Sequence, residues 1–131
     1  MRDATLTERR RKVIEEKSLS ASEVPRALSD ATDRFLTELY SREVQLDSGV
    51  ALVALGGYGR AELSPSSDLD LMLVHNEADD IDSLADRIWY PLWDEGFKLG
   101  HSVRSVDQTL RLAGTDLETA TSLLNARLVA G

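Results

Sequence analysis

Two short apolar runs held apart by a loop rich in glycine and serine constrain this chain more than any other feature of its 131 residues. Residues 50–55 read VALVAL, too short for a typical helix and rich in strand formers, and they stop at Gly56 and Gly57. After the loop GGYGRAELSPSS comes DLDLMLV, in which Leu69, Leu71 and Leu73 alternate with Asp68, Asp70 and Met72. These are the first two strands. They place two aspartates, two residues apart, in what otherwise reads as a buried segment.

The flanking sequence is helical. Residues 5–17 have few apolar positions, so a helix there is expected to pack weakly or fray. In the following segment Ser20 and Glu23 have capping-box spacing, Pro25 falls in the first turn, and Leu28, Ala31, Phe35 and Leu39 form one stripe that should run to about Val44. Beyond the second strand, Ile81, Leu84, Ala85, Ile88 and Leu92 return to a helical period over residues 78–93, with Pro91 kinking or ending the last turn. The stretch FKLGHSVRS alternates Phe97, Leu99, His101 and Val103 against Lys98, Gly100, Ser102 and Arg104, as a third strand would. A short helix over residues 106–113 precedes a longer one, with Thr115 and Glu118 as a capping box and Leu117, Thr121, Leu124 and Leu128 as its stripe. The expected order is helix, helix, strand, strand, helix, strand, helix, helix, in which residues 1–48 form a helical lead and residues 49–131 a core.

Bulk properties narrow the chemistry. The length suits a single domain with its own core, and 42% hydrophobic with 29% charged residues is ordinary for a globular chain. No apolar run spans a bilayer, and the polar N-terminus lacks the apolar core of a signal peptide, so a cytoplasmic location away from membranes is the simplest expectation. Without cysteine and with two histidines, any metal site must rest mainly on oxygen ligands. A net charge of −8 argues against binding along a nucleic-acid backbone but leaves room for a nucleotide that brings its own magnesium. The basic cluster from Arg9 to Lys12 reads either as an interaction arm or as a solvated helix face with Glu15 and Glu16 nearby.

Residues two apart on a strand share a face, so Asp68 and Asp70 aim two carboxylates above the sheet while Leu69 and Leu71 enter the core. Magnesium takes oxygen ligands and commonly uses one or two carboxylates beside substrate phosphates. The same pair also reads as a solvated strand edge. Gly56 and Gly57 let backbone approach a ligand closely, or simply make a tight turn; their spacing is not that of a dinucleotide fingerprint. Arg60 suits phosphate or a surface pair with Glu62, while Ser66 and Ser67 add short donors.

Taken together, GGYGRAELSPSSDLDLMLV resembles the signature of the polymerase-beta-type nucleotidyltransferase superfamily. With GHSVRSVDQTL and DLETATSLLNARLVAG it is similar to the N-terminal nucleotidyltransferase domain of bacterial PII uridylyltransferase/uridylyl-removing enzymes, over residues 50–131. The resemblance implies an α+β fold, a small mixed sheet packed with helices. It implies transfer of UMP, or AMP in a variant branch, from an NTP to a tyrosine of the PII nitrogen-signalling protein, with release of pyrophosphate. It places the triphosphate on Gly56 and Gly57, Mg2+ on Asp68 and Asp70 as the catalytic carboxylates, and weaker phosphate contacts on Arg60 and Ser67.

The chain also departs from that pattern. Superfamily members commonly carry a third carboxylate on a later strand, whereas FKLGHSVRS has no acid; Asp94, Asp107 and Asp116 lie nearby, the last two also suiting helix N-termini, and His101 reads as packed or catalytic. His75 and His101 alone cannot supply the histidine-aspartate hydrolase site of the full enzymes, so a fragment of a longer multidomain enzyme is expected. Two other readings stand beside the first: a catalytically incomplete nucleotide-binding or partner-docking module, and a different polymerase-beta-type nucleotidyltransferase.

Overall fold

A computed structural model describes residues 4–45, 49–65, 67–76 and 80–131. Helices α1 (Leu6–Ile14) and α2 (Val24–Glu43) lead to strand β1 (Val50–Ala54), and the single turn α3 (Gly56–Gly59) opens the glycine loop. Strand β2 (Leu69–His75), helix α4 (Ile81–Asp94) and strand β3 (Leu99–Ser105) follow, then α5 (Val106–Thr115), α6 (Leu117–Leu123) and strand β4 (Arg127–Ala130). The sheet has the order β3-β2-β1-β4. β1 runs antiparallel to both β2 and β4, and β2 runs parallel to β3 through the α4 crossover. This is the mixed α+β architecture expected, a small sheet packed with helices.

Alternation decides which sheet face is buried. Val50, Leu52 and Ala54 of β1 and Leu69, Leu71 and Leu73 of β2 join one core with Leu28, Phe35, Leu36 and Leu39 of α2 and Leu84, Ile88, Trp89 and Leu92 of α4. Asp70, Met72 and Val74 consequently face the other side, and the register sets Gly100, Ser102 and Arg104 beside them in the same order. Pro91 lies inside α4, which continues to Asp94. Pro25 stands in the first turn of α2 as the sequence indicates, but the helix begins at Val24: Glu23 accepts hydrogen bonds from the Ser20 N–H and hydroxyl, and no side chain caps α2.

Two expectations are corrected. α1 does not pack weakly: Leu6 is fully buried and Arg10 is only 5% exposed, while the Glu95 carboxylate accepts from the backbone N–H groups of Leu6 and Thr7 at the helix N-terminus. A charged residue and a distant cap do the work that a periodicity argument assigns to apolar residues. Nor is the Arg9 to Lys12 cluster one solvated face, because Arg9 pairs with Glu38 and Arg10 is buried. The second correction is at the C-terminus, where the long helix stops at Leu123 and residues 127–130 form β4. Pairing with β1 satisfies a strand edge that a continued helix would leave open, and the supposed stripe is not a core, since Leu117, Leu124 and Leu128 are all exposed. The Thr115 hydroxyl donates to the Arg111 carbonyl, and the side chain of Glu118, its expected partner in a capping box, lies outside the described residues. The cap that does form is Ser105 with Gln108, a complete capping box on α5.

Candidate active site

The glycine loop leaves β1 and turns immediately. Leu55 N–H donates to the Asp70 carbonyl, and Gly56 then takes φ +58°, a left-handed conformation that favours glycine. A Cβ at Gly56 would stand 2.7 Å from Asp70 Oδ2, and one at Gly100, the β3 partner of Asp70, would stand 2.2 Å from Oδ1. The Asp70 carboxylate therefore lies in a slot between two glycines from different elements. Burial, with Asp68 adding a second negative charge, pushes its pKa up. A carboxylate in this state gains from a hard cation, and carboxylate oxygens are the donor type that Mg2+ takes.

Asp68 lies just ahead of β2 and is exposed. It lines a cavity of about 630 Å³ with Arg10, Arg11, Ser67, Phe97 and Lys98. Asp70 lines a second cavity of about 530 Å³ with Gly56, Gly100, His101, Ser102 and Arg104. The two aspartates are thus near enough to influence each other but open onto different cavities.

The glycine turn is clamped from behind. Tyr58, 1% exposed, donates its hydroxyl hydrogen to Asp33 Oδ1 of α2. Arg127 of β4 donates to both Asp33 oxygens, at 2.7 and 3.2 Å, to the Tyr58 carbonyl at 3.0 Å and to the Gly59 carbonyl at 3.3 Å. Burial first, and then Asp33, drive the Tyr58 phenol pKa far upward, so it remains a donor. Gly59 has no room for a side chain, because a Cβ would lie 2.1 Å from the Asn125 carbonyl oxygen. Gly57 differs: a Cβ there would meet only Arg60, at 3.8 Å. Arg60 is exposed and pairs with Glu62 at 3.1 Å.

The loop that carries Asp68 is held by its own turn and by α1. The Ser67 hydroxyl accepts from the Ser64 N–H at 2.8 Å, and Ser66 lies outside the described residues. Arg10 donates to the carbonyls of Ser64 and Pro65 at 3.1 and 3.3 Å and lies over the Phe97 ring.

Of the three acids that sequence could not separate, Asp116 lines the Asp70 cavity, Asp94 lines one on α4 with Tyr90, and Asp107 sits in the first turn of α5. No group of three or more His, Asp or Glu residues among those described is arranged to hold a metal ion. His101 packs on Trp89 and Trp93, with ring centroids 5.6 and 5.1 Å away. Asp33, Arg127, Arg10, Gly100 and Arg104 belong to no motif in the sequence that marks a site. Only Gly100 carried a local signal, a glycine inside a strand pattern marking close approach.

The chain is 51% identical over 108 residues to a bifunctional uridylyltransferase/uridylyl-removing enzyme of Streptomyces coelicolor, covering 81% of this chain and 13% of the relative. It is 51% identical over 86 residues to the enzyme of that name from Mycobacterium tuberculosis, covering 64% of this chain and 11% of the relative. This chain is homologous to a segment of the uridylyltransferase/uridylyl-removing enzymes. The Burkholderia mallei enzyme agrees at 44% identity over 107 residues, covering 80% of this chain and 12% of the relative. The chain therefore spans about an eighth of the length of the curated relatives it matches. No family model matches it. The mixed sheet is consistent with a nucleotidyltransferase fold in that segment of the uridylyltransferases. Among the described residues no helix is long and apolar enough to cross a membrane.

Proposed function

We propose that this chain is the nucleotidyltransferase portion of a PII uridylyltransferase-like enzyme, a cytoplasmic one, moving UMP, or AMP in a variant branch, from an NTP to a tyrosine hydroxyl of PII. One observation supports the reading most strongly: Asp70 is set between Gly56 and Gly100, which joins the glycine loop and the aspartate strand to the distant strand β3 at one place. Asp68 and Asp70 would hold Mg2+, which when bound neutralises phosphate charge and aids departure of pyrophosphate. Gly56 and Gly57 bring backbone close to the triphosphate, with Arg60 and Ser67 as secondary phosphate contacts. The Tyr58–Asp33–Arg127 clamp keeps that backbone from yielding under the ligand. The acceptor hydroxyl attacks the α-phosphorus, the bond to the bridging oxygen breaks, and the acceptor proton passes to base or solvent.

A non-catalytic nucleotide-binding module is the second reading, favoured by the lack of a third acid in metal-holding position among the described residues. Incubation with PII and each Mg-NTP, followed by intact mass measurement of PII, separates the two. A gain of one nucleoside monophosphate supports transfer. Nucleotide binding with no mass gain, even when a full-length relative modifies the same PII, supports the binding module.

A further inference from the structure

The cavity that contains Asp70 also contains an arginine that the glycine and aspartate motif does not claim. Parallel pairing sets Asp70 opposite Gly100, Met72 opposite Ser102 and Val74 opposite Arg104, so Gly100, Ser102 and Arg104 rise in sequence along one sheet face from the level of Asp70. Arg104 lines the cavity together with Gly56, Asp70 and Ser102 and is half-buried. Arg9, Arg26, Arg60, Arg87 and Arg127 each form an ion pair with a carboxylate, whereas among the described residues Arg104 has none. Arg10 and Arg11, which line the Asp68 cavity, have no carboxylate partner among the described residues either, so what singles out Arg104 is its place in the Asp70 cavity, which Asp116 also lines. A planar cation of this kind binds phosphate oxygens through two parallel hydrogen bonds.

Distance sorts the roles. Four residues of parallel strand separate Arg104 from Gly100, about 13 Å between Cα atoms at roughly 3.3 Å per residue. An arginine side chain is long enough to cross part of that gap, and the remainder suits an extended polyphosphate with one end at the carboxylates. Arg60, pointed at Glu62, is less well placed for the same task.

We propose that Arg104 is a phosphate-binding residue of this site, gripping the anionic tail of a nucleoside triphosphate at the end of the cavity away from Asp70, with the Ser102 hydroxyl as a donor between them. The inference rests on the nucleotide reading of the Asp70 cavity. Its ligand chemistry is polyphosphate rather than base, so inorganic tripolyphosphate with Mg2+ should compete for the same grip.

The test is calorimetric titration of the wild-type chain and of Arg104→Met, Arg104→Gln and Arg87→Ala with Mg-UTP, Mg-ATP and Mg-tripolyphosphate, each variant checked by circular dichroism. Loss of a charge-assisted contact predicts binding about 10- to 100-fold weaker for both Arg104 variants with nucleotide and with tripolyphosphate alike. Arg87→Ala, which removes the same charge at the Glu43 pair, should stay within about twofold of wild type. Wild-type binding matched within twofold by a folded Arg104 variant overturns the assignment of Arg104 and leaves the nucleotide site standing. Failure of the wild type to bind any of the three probes overturns the nucleotide reading and this inference with it. If Arg104→Met does not fold, Arg104→Gln, which keeps a polar but uncharged end on a shorter side chain, decides by the same criterion.

Discussion

Gly100→Ala isolates the central geometric feature with a single methyl group. Gly100 lies in β3 with ordinary extended backbone, so alanine brings no conformational strain of its own. The new Cβ would lie 2.2 Å from Asp70 Oδ1 and 3.3 Å from Cγ, where ordinary contacts begin at 3.4 Å. The carboxylate must therefore retreat by about 1.2 Å or leave its rotamer. Stability should change little: an off-rotamer side chain costs about 0.5–1.5 kcal/mol, and replacing glycine where the backbone allows returns about 0.4–1 kcal/mol through the unfolded state. Function should change much more, because misplacing a reacting group by about 1 Å costs about 10²-fold. Calorimetry with Mg-UTP or Mg-ATP should show affinity at least about tenfold lower, beside a urea midpoint near that of wild type. Gly96→Ala supplies the opposite signature, since φ is +86° with nothing within 4 Å: it should lose about 1 kcal/mol of stability and keep its affinity. A folded Gly100→Ala chain that binds Mg-nucleotide as wild type does would refute the view that the glycine slot places Asp70.

Other outcomes follow from the same site. Gly56→Ala should weaken Mg-nucleotide binding more than Gly57→Ala, because only the former has positive φ and a Cβ 2.7 Å from Asp70; equal effects in titration would return both glycines to a generic turn. Burial and Asp68 raise the Asp70 pKa, so without metal its ionisation costs stability as pH rises from the ordinary aspartate range through the raised value. Asp70→Asn should thus melt higher than wild type in metal-free buffer at neutral pH, the gap should close in acid, and Mg2+ should raise the melting temperature of wild type alone; scanning fluorimetry against pH reads all three. Arg127→Met strips donors from Asp33 and two backbone carbonyls and should cost about 2 kcal/mol in denaturant titration, with a cost below about 0.5 kcal/mol arguing against the clamp. In time courses against a full-length relative, this chain should modify PII much more slowly and show no removal of the nucleotide; equal transfer rates would mean that the catalytic set is complete here.

The chain shows what local pattern conveys and what it withholds. The strands Val50–Ala54 and Leu69–His75, the α2 stripe and the faces of β3 are legible because alternation and helical period report directly on one buried face. β4 was hidden because LVA reads equally as the end of a helical stripe, and only the open edge of β1 decides between them. The weak-looking α1 is similar: its anchors are Arg10 to the Ser64 and Pro65 carbonyls and Glu95 to its N-terminus, and no periodicity encodes a contact between residues 10 and 64. At the site, the glycine loop and the aspartates announce themselves as neighbours in sequence. Gly100, Arg104, Asp33 and Arg127 contribute through strand register and packing, which single positions do not reveal.

Whether Asp68 and Asp70 hold a metal-bound nucleotide is tested most directly by titration of Mg-NTP into wild type, Asp68→Asn and Asp70→Asn. Asparagine keeps the side chain nearly the same size while removing an anionic oxygen ligand, so circular dichroism should report folded chains throughout. The predicted result is measurable wild-type affinity that depends on Mg2+ and falls at least about tenfold in each variant. Folded variants that bind Mg-NTP as tightly as wild type would contradict it.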